Sequence, residues 1–129
     1  MSRLINQERK SALLRPLGEN GWYGIAERDA IRKVFIFRNF ADAWAWMSGI
    51  ALSAEKMNHH PEWMNVYRTV DVTLTTHHAG GLTELDLQLA ERMDTFASSF
   101  KSVEYQKDIE KEIACLCGLP EPKQPRASN

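Results

Sequence analysis

Residues 64–77 read MNVYRTVDVTLTTH, and the alternation in this stretch decides the fold. Val70, Val72, Leu74 and Thr76 fall on one side of an extended chain; Asp71, Thr73, Thr75 and His77 fall on the other. A strand with one apolar and one polar face is the mark of an antiparallel sheet packed on one side. The residues before it supply the partner strand, with Arg68-Thr69 as the turn. In that register Tyr67 faces Val70, Asn65 faces Val72, and the line extends outward to His60 opposite His77. Opposed side chains on neighbouring strands lie ~5 Å apart at Cβ. Two histidine segments are therefore expected to meet at one end of the sheet. Pro61 cannot donate a ladder bond, so pairing should fray there and open a cleft.

Upstream, residues 40–57 read as a helix. Phe40, Ala43, Trp44, Met47, Ala51 and Ala54 share one side, extended by Trp46, Ile50 and Met57 one way and by Ala41, Ala45 and Leu52 the other. The apolar arc is far wider than the ~100° stripe of a helix packed on one side only. Such a helix should pack on its own sheet and on a second surface, and in so short a chain that surface is expected to be another subunit. Before it come two strand candidates, Trp22–Ala26 and Ala30–Arg38, joined at Glu27-Arg28-Asp29. Residues 6–15 have helical character, closed by Pro16, Gly18 and Gly21. Downstream, Gly80-Gly81 supplies a turn and Thr83 an N-cap, with Asp86 at N3 of a final helix whose apolar face is Leu85, Leu89, Met93, Phe96, Phe100 and Val103. The order α-β-β-α-β-β-α predicts an α+β fold: a four-stranded antiparallel sheet covered by helices on one face.

Length and composition fit one domain over residues 1–103, followed over 104–129 by a helical extension (Ile109, Ile113, Leu116) and a disordered tail rich in Pro120, Pro122 and Pro125. Sixteen basic against seventeen acidic residues leave no excess positive charge for nucleic-acid binding. No apolar run approaches the ~18 residues of a membrane span. The N-terminus lacks the apolar core of a secretory signal, and Glu8 weighs against a transit peptide. The two cysteines, Cys115 and Cys117, are too close for an ordinary disulfide and read as free thiols in a reducing, cytoplasmic setting.

All four histidines, His59, His60, His77 and His78, lie in the two segments that the hairpin brings together. Three chemistries are open to such a cluster. Three imidazoles can hold zinc with an open fourth position, but no HExxH or other zinc signature is present. Two imidazoles can act as acid and base without metal. Or the histidines are satisfied structural residues at a helix-to-strand junction.

The motifs narrow this choice. Glu55-Lys56-Met57-Asn58-His59-His60-Pro61-Glu62-Trp63-Met64-Asn65-Val66-Tyr67, then Thr73-Leu74-Thr75-Thr76-His77, then Gly81-Leu82-Thr83-Glu84-Leu85-Asp86, resembles the pterin-4a-carbinolamine dehydratase family. That family is also known as the dimerization cofactor of a hepatocyte homeodomain transcription factor. Gly21-Trp22, Arg28-Asp29-Ala30-Ile31 and Phe35-Ile36-Phe37 match it too, and the resemblance covers about residues 8–100.

The resemblance implies dehydration of a tetrahydropterin hydroxylated at C4a, giving quinonoid dihydropterin and so recycling tetrahydrobiopterin for aromatic amino acid hydroxylases. It implies no metal and no cofactor. It places His59, His60 and His77 in the active site; His59 and His77 are our acid–base pair, with His60 holding substrate. Asn58, Thr75, Thr76 and His78 would complete the pterin pocket, with Trp22, Glu55 and Asp86 at its margins. Animal members carry aspartate and glutamate where this chain has Asn58 and His78. Both changes remove negative charge beside the imidazoles and bear on the pH optimum. The resemblance further implies a homo-tetramer, a dimer of dimers. In some members it implies a nuclear role as a coactivator that binds the transcription factor's dimerization helices, an alternative of a different class.

Overall fold

The computed structural model describes residues 4–100. The elements are α1 (Gln7–Glu19), β1 (Tyr23–Gly24), β2 (Ile31–Ile36), α2 (Phe40–Met57), β3 (Glu62–Val66), β4 (Thr69–Leu74), a 3-10 turn at His77–Ala79, and α3 (Glu84–Ala97). The four strands form one antiparallel sheet in the order β1-β2-β4-β3. The fold class and element order are those read from the sequence. The expected segments beyond residue 100, including Val103, the 104–129 extension and both cysteines, lie outside the described residues.

One face of the sheet carries the core. Ile31, Phe35 and Phe37 from β2 and its end, and Val70, Val72 and Leu74 from β4, pack with Ala43, Trp46, Met47, Ile50 and Ala54 of α2 and Leu89, Ala90 and Met93 of α3. Trp46 sits at the centre: its ring is 4.5 Å from Phe35 and 5.2 Å from Phe37, and its indole N–H donates to the Met93 carbonyl at 3.1 Å. That bond satisfies the one polar atom such a buried side chain brings with it. Trp63 packs on Trp46 from β3, with ring centroids 6.1 Å apart.

The polar face is less open than alternation implied. Val34 and Ile36 are buried, and so is Asp71, which is paired with Arg32 on the neighbouring strand. A charge is buried here only because it is paired.

α2 has the bounds its pattern predicted. Asn39 accepts from the Asp42 N–H at 2.8 Å as N-cap, and Asn58 at φ +53° is the C-cap. Asparagine tolerates that left-handed conformation better than most residues. The outer face of α2 leaves Phe40, Trp44 and Leu52 at 48%, 56% and 76% exposure, so the described chain does not supply the second surface that the wide apolar arc requires.

Three local expectations are corrected. α1 does not stop at Pro16 but runs through it to Glu19. A proline inside a helix costs about 3 kcal/mol, while burying a leucine returns about 1.5–3 kcal/mol. Leu17, 4% exposed, is carried into the core by that last turn. The first strand shrinks from Trp22–Ala26 to Tyr23–Gly24, two exposed residues on the sheet edge.

The hairpin turn is Tyr67-Arg68 rather than Arg68-Thr69, because Val66 pairs with Thr69. Tyr67 takes φ +51°, and the Asn65 side-chain amide braces the turn by donating to the carbonyls of Tyr67 and Thr69. Thr69 is fully buried and belongs to the ladder. The register therefore sets Glu62 opposite Thr73. His60 and His77 lie outside the ladder and are not cross-strand partners. The slip is two residues, so each side chain keeps its expected face.

Candidate active site

Two chain reversals build the site. At the end of α2 the left-handed Asn58 sends the chain back, and the His59 N–H bonds the Ala54 carbonyl at 3.0 Å. Beyond β4, the Thr76 carbonyl collects the N–H groups of Ala79, Gly80 and Gly81, closing the 3-10 turn that carries His77 and His78. Gly80 sits at φ +78°, where a side chain would be strained. Both reversals occur at the same end of the sheet. Between them lies a cavity of about 320 Å³ lined by Asn58, His59, His60, Pro61, Glu62, Thr75, Thr76, His77 and His78. That volume is at the small end of the ligand-pocket range.

Each of three imidazoles is held at Nε2 by a different carboxylate. His59 lies 2.6 Å from Oδ1 of Asp86, His60 lies 2.8 Å from Oε1 of Glu55, and His77 lies 2.6 Å from Oε2 of Glu62. A carboxylate accepts, so each neutral ring carries its proton on Nε2 and its lone pair on Nδ1. No Nδ1 of the three bonds to a described residue, which leaves these atoms for proton exchange.

The three pairs differ in setting. His59 is 6% exposed and Asp86 fully buried. Oδ2 of Asp86 accepts from the Thr76 hydroxyl at 2.7 Å and from the Thr83 N–H at 2.9 Å, the latter as half of a capping box on α3. The His60–Glu55 pair is open to solvent. His77 is also exposed, but its carboxylate is itself gripped: Arg28 donates Nη1 to Oε1 at 2.8 Å and Nη2 to Oε2 at 2.7 Å of Glu62. The hydrogen bonds from Arg28 first, and from His77 second, hold the Glu62 carboxyl down to about 2. The same contact raises the Arg28 guanidinium further above its ordinary range.

The structure brings Asn58, His59, His60, Thr75, Thr76, His77 and His78 to one cavity. Asp86 and Glu55 stand behind two of the imidazoles rather than in the lining. Trp22 is not brought to the cavity: it is a core residue whose indole N–H donates to Asp94 at 3.0 Å. Two residues escaped the sequence reading, Glu62 and Arg28. Glu62 sits inside the histidine motif, and its place at the first position of β3 was the available signal. Arg28 is 34 residues away on the loop before β2, and only the folded sheet brings it near.

The family model for pterin 4 alpha carbinolamine dehydratase matches residues 2–96. The chain belongs to this family. A relative from Roseobacter denitrificans, provisionally named for the same dehydratase, is 53% identical over 97 residues, covering 75% of this chain and 99% of its own. The pterin-4-alpha-carbinolamine dehydratase of Drosophila melanogaster is 45% identical over 97 residues, covering 75% of this chain and 50% of its own. A crystal structure of a transcriptional coactivator/pterin dehydratase from Brucella melitensis superposes with a TM-score of 0.69 at 44% identity, covering 74% of this chain and 98% of that one.

Family membership supports a dehydratase role, and among the described residues the cavity gathers four imidazoles around one space. Among the described residues no three His, Cys, Asp or Glu side chains are arranged to share a metal ion, and no described helix is long and apolar enough to cross a membrane.

Proposed function

We propose that this chain dehydrates 4a-hydroxytetrahydropterin, with tetrahydrobiopterin as the parent pterin, to the quinonoid dihydropterin. The observation that carries this reading is three imidazoles around one cavity, each bonded to a carboxylate at Nε2 and with no bond from Nδ1 to a described residue. In the reaction the C4a–O bond breaks and the hydroxyl leaves as water after taking a proton from an acid. N5 gives its proton to a base, and the N5–H electron pair becomes the new N5=C4a bond. One acid and one base on adjacent substrate atoms suffice, and imidazoles suit both tasks near neutral pH.

His59 and His77 form the acid–base pair in this account, and His60 holds substrate. His59 is walled in and rigid, His77 stands on the opposite reversal, and the pterin ring would lie between them. Asn58, Thr75, Thr76 and His78 supply polar contacts along the walls. The decisive experiment is stopped-flow dehydration of chemically prepared 4a-hydroxytetrahydropterin. The reading expects acceleration over the spontaneous reaction that survives chelators. A rate equal to the spontaneous one contradicts it.

A second reading concerns the outer face of α2. Phe40 and Trp44, with rings stacked at 6.1 Å, and Leu52 form an exposed apolar strip on one helix. We propose that this strip is covered by α2 of other copies in a tetramer. The alternative function, binding the dimerization helix of a homeodomain transcription factor, would use the same strip, and the Brucella neighbour's description as a coactivator favours keeping it. Capture of such a helical peptide by the dissociated subunit, blocked by a charge at Trp44, would support it. A tetramer that never exchanges subunits would exclude it.

A further inference from the structure

His59 is fixed by burial, but His77 is not. Its side chain is 74% exposed, and the one side-chain hydrogen bond it makes among the described residues goes to Glu62. A surface imidazole with no tether samples several rotamers and both neutral tautomers, and only some of these present a competent proton carrier to the cavity. Glu62 removes that freedom. It starts β3, where its backbone pairs with Thr73 of the central strand β4. Its two oxygens are clamped by the Arg28 fork. Fork-on-carboxylate geometry fixes orientation as well as distance. Oε2 then faces His77 Nε2 at 2.6 Å.

We propose that Glu62, clamped by Arg28, is the positioning residue of His77, locking the Nε2–H tautomer and presenting Nδ1 to the substrate. The proposal rests on the dehydratase reading. It gives exposed His77 the restraint that Asp86 gives buried His59. The carboxyl being held down to about 2 means the acceptor stays ionised at any working pH. It also explains why an ion pair sits at the rim of a cavity where, as a surface pair, it would add little stability.

Two readouts on the full chain test it. The first is imidazole ¹⁵N chemical shifts of His77 in histidine-labelled protein, which report the tautomer without any substrate. The second is steady-state dehydration. Glu62→Gln keeps the shape, but its amide can donate or accept, so the tautomer preference should be lost. We expect the His77 shifts to move toward the mixed-tautomer average and kcat to fall roughly ten- to a hundredfold, with KM changed less than about twofold. Arg28→Gln, which keeps the carboxylate but frees it, should fall between the two.

Either signal without the other overturns the proposal, as does a rise in KM at unchanged kcat, which would make Glu62 a substrate contact. If the wild type shows no dehydration, the functional reading fails, and the tautomer shifts alone decide whether Glu62 fixes His77.

Discussion

Oδ1 of Asp86 lies 2.6 Å from Nε2 of His59, and the pair is shut away from solvent. The second oxygen of Asp86 accepts from the Thr76 hydroxyl and the Thr83 N–H. One carboxylate therefore ties the start of α3, the end of β4 and the histidine motif together. It joins the stability of the fold to the orientation of the His59 imidazole.

Asp86→Asn should expose that double role. An amide offers one acceptor atom. With its NH2 toward His59, the ring must abandon the Nε2–H tautomer to accept; with its NH2 toward Thr83, that buried N–H loses its partner, at a cost of about 1–3 kcal/mol. Urea denaturation should show that loss, and dehydration should slow by at least roughly tenfold as the His59 tautomer is released. A variant of unchanged stability would mean the network is not what holds this corner.

Gly81→Ala should weaken the same corner from behind. A Cβ there would lie 2.2 Å from Oδ2 of Asp29 and 3.0 Å from a Leu4 methyl. Asp29 cannot retreat freely, since it holds Lys10 at 2.6 Å and the Leu82 N–H at 3.2 Å. Overpacking of this kind costs about 1–3 kcal/mol. A lower urea midpoint with an unchanged slope is the expected result; equal midpoints would refute the contact.

Much of this was legible in the chain. The β4 alternation and the α2 pattern specified the sheet and its covering helix, because both periods are set by burial. The convergence of the histidines followed from the hairpin. The exact register did not, since Tyr67 adopts a left-handed conformation that its residue type does not advertise, and Asn65 braces the turn through its side chain. The continuation of α1 past Pro16 depended on Leu17 finding a place in the core. Arg28 was silent because its role exists only once β2 and β3 share a sheet.

Acid should report on Glu62. Its folded carboxyl is lowered from 4.5 to about 2, mainly by Arg28. The group binds its proton less readily folded than unfolded, so its stabilisation is present above the unfolded value and lost as pH falls toward 2. Solvent exposure of the pair keeps the effect small. The stability difference between wild type and Glu62→Gln should shrink as pH falls from about 5 toward 2. A difference that grows on acidification would have the wrong sign.

The outer face of α2 should govern assembly. Trp44→Glu combined with Leu52→Glu places charge on the exposed strip without touching the core. Light scattering after size-exclusion chromatography should find the wild type as a tetramer and the variant as a smaller species with the same circular dichroism. A monomeric wild type would remove the subunit-contact account.

The central claim is that imidazoles on this cavity carry the proton transfers. Its most direct test is the single-turnover dehydration rate of 4a-hydroxytetrahydropterin with wild type, His59→Ala and His77→Ala, each checked for folding. The account predicts that the wild type beats the spontaneous rate and that each substitution lowers the enzymic rate by about 10²–10⁴-fold, the usual contribution of one positioned acid or base. Wild-type rates in both variants would contradict it.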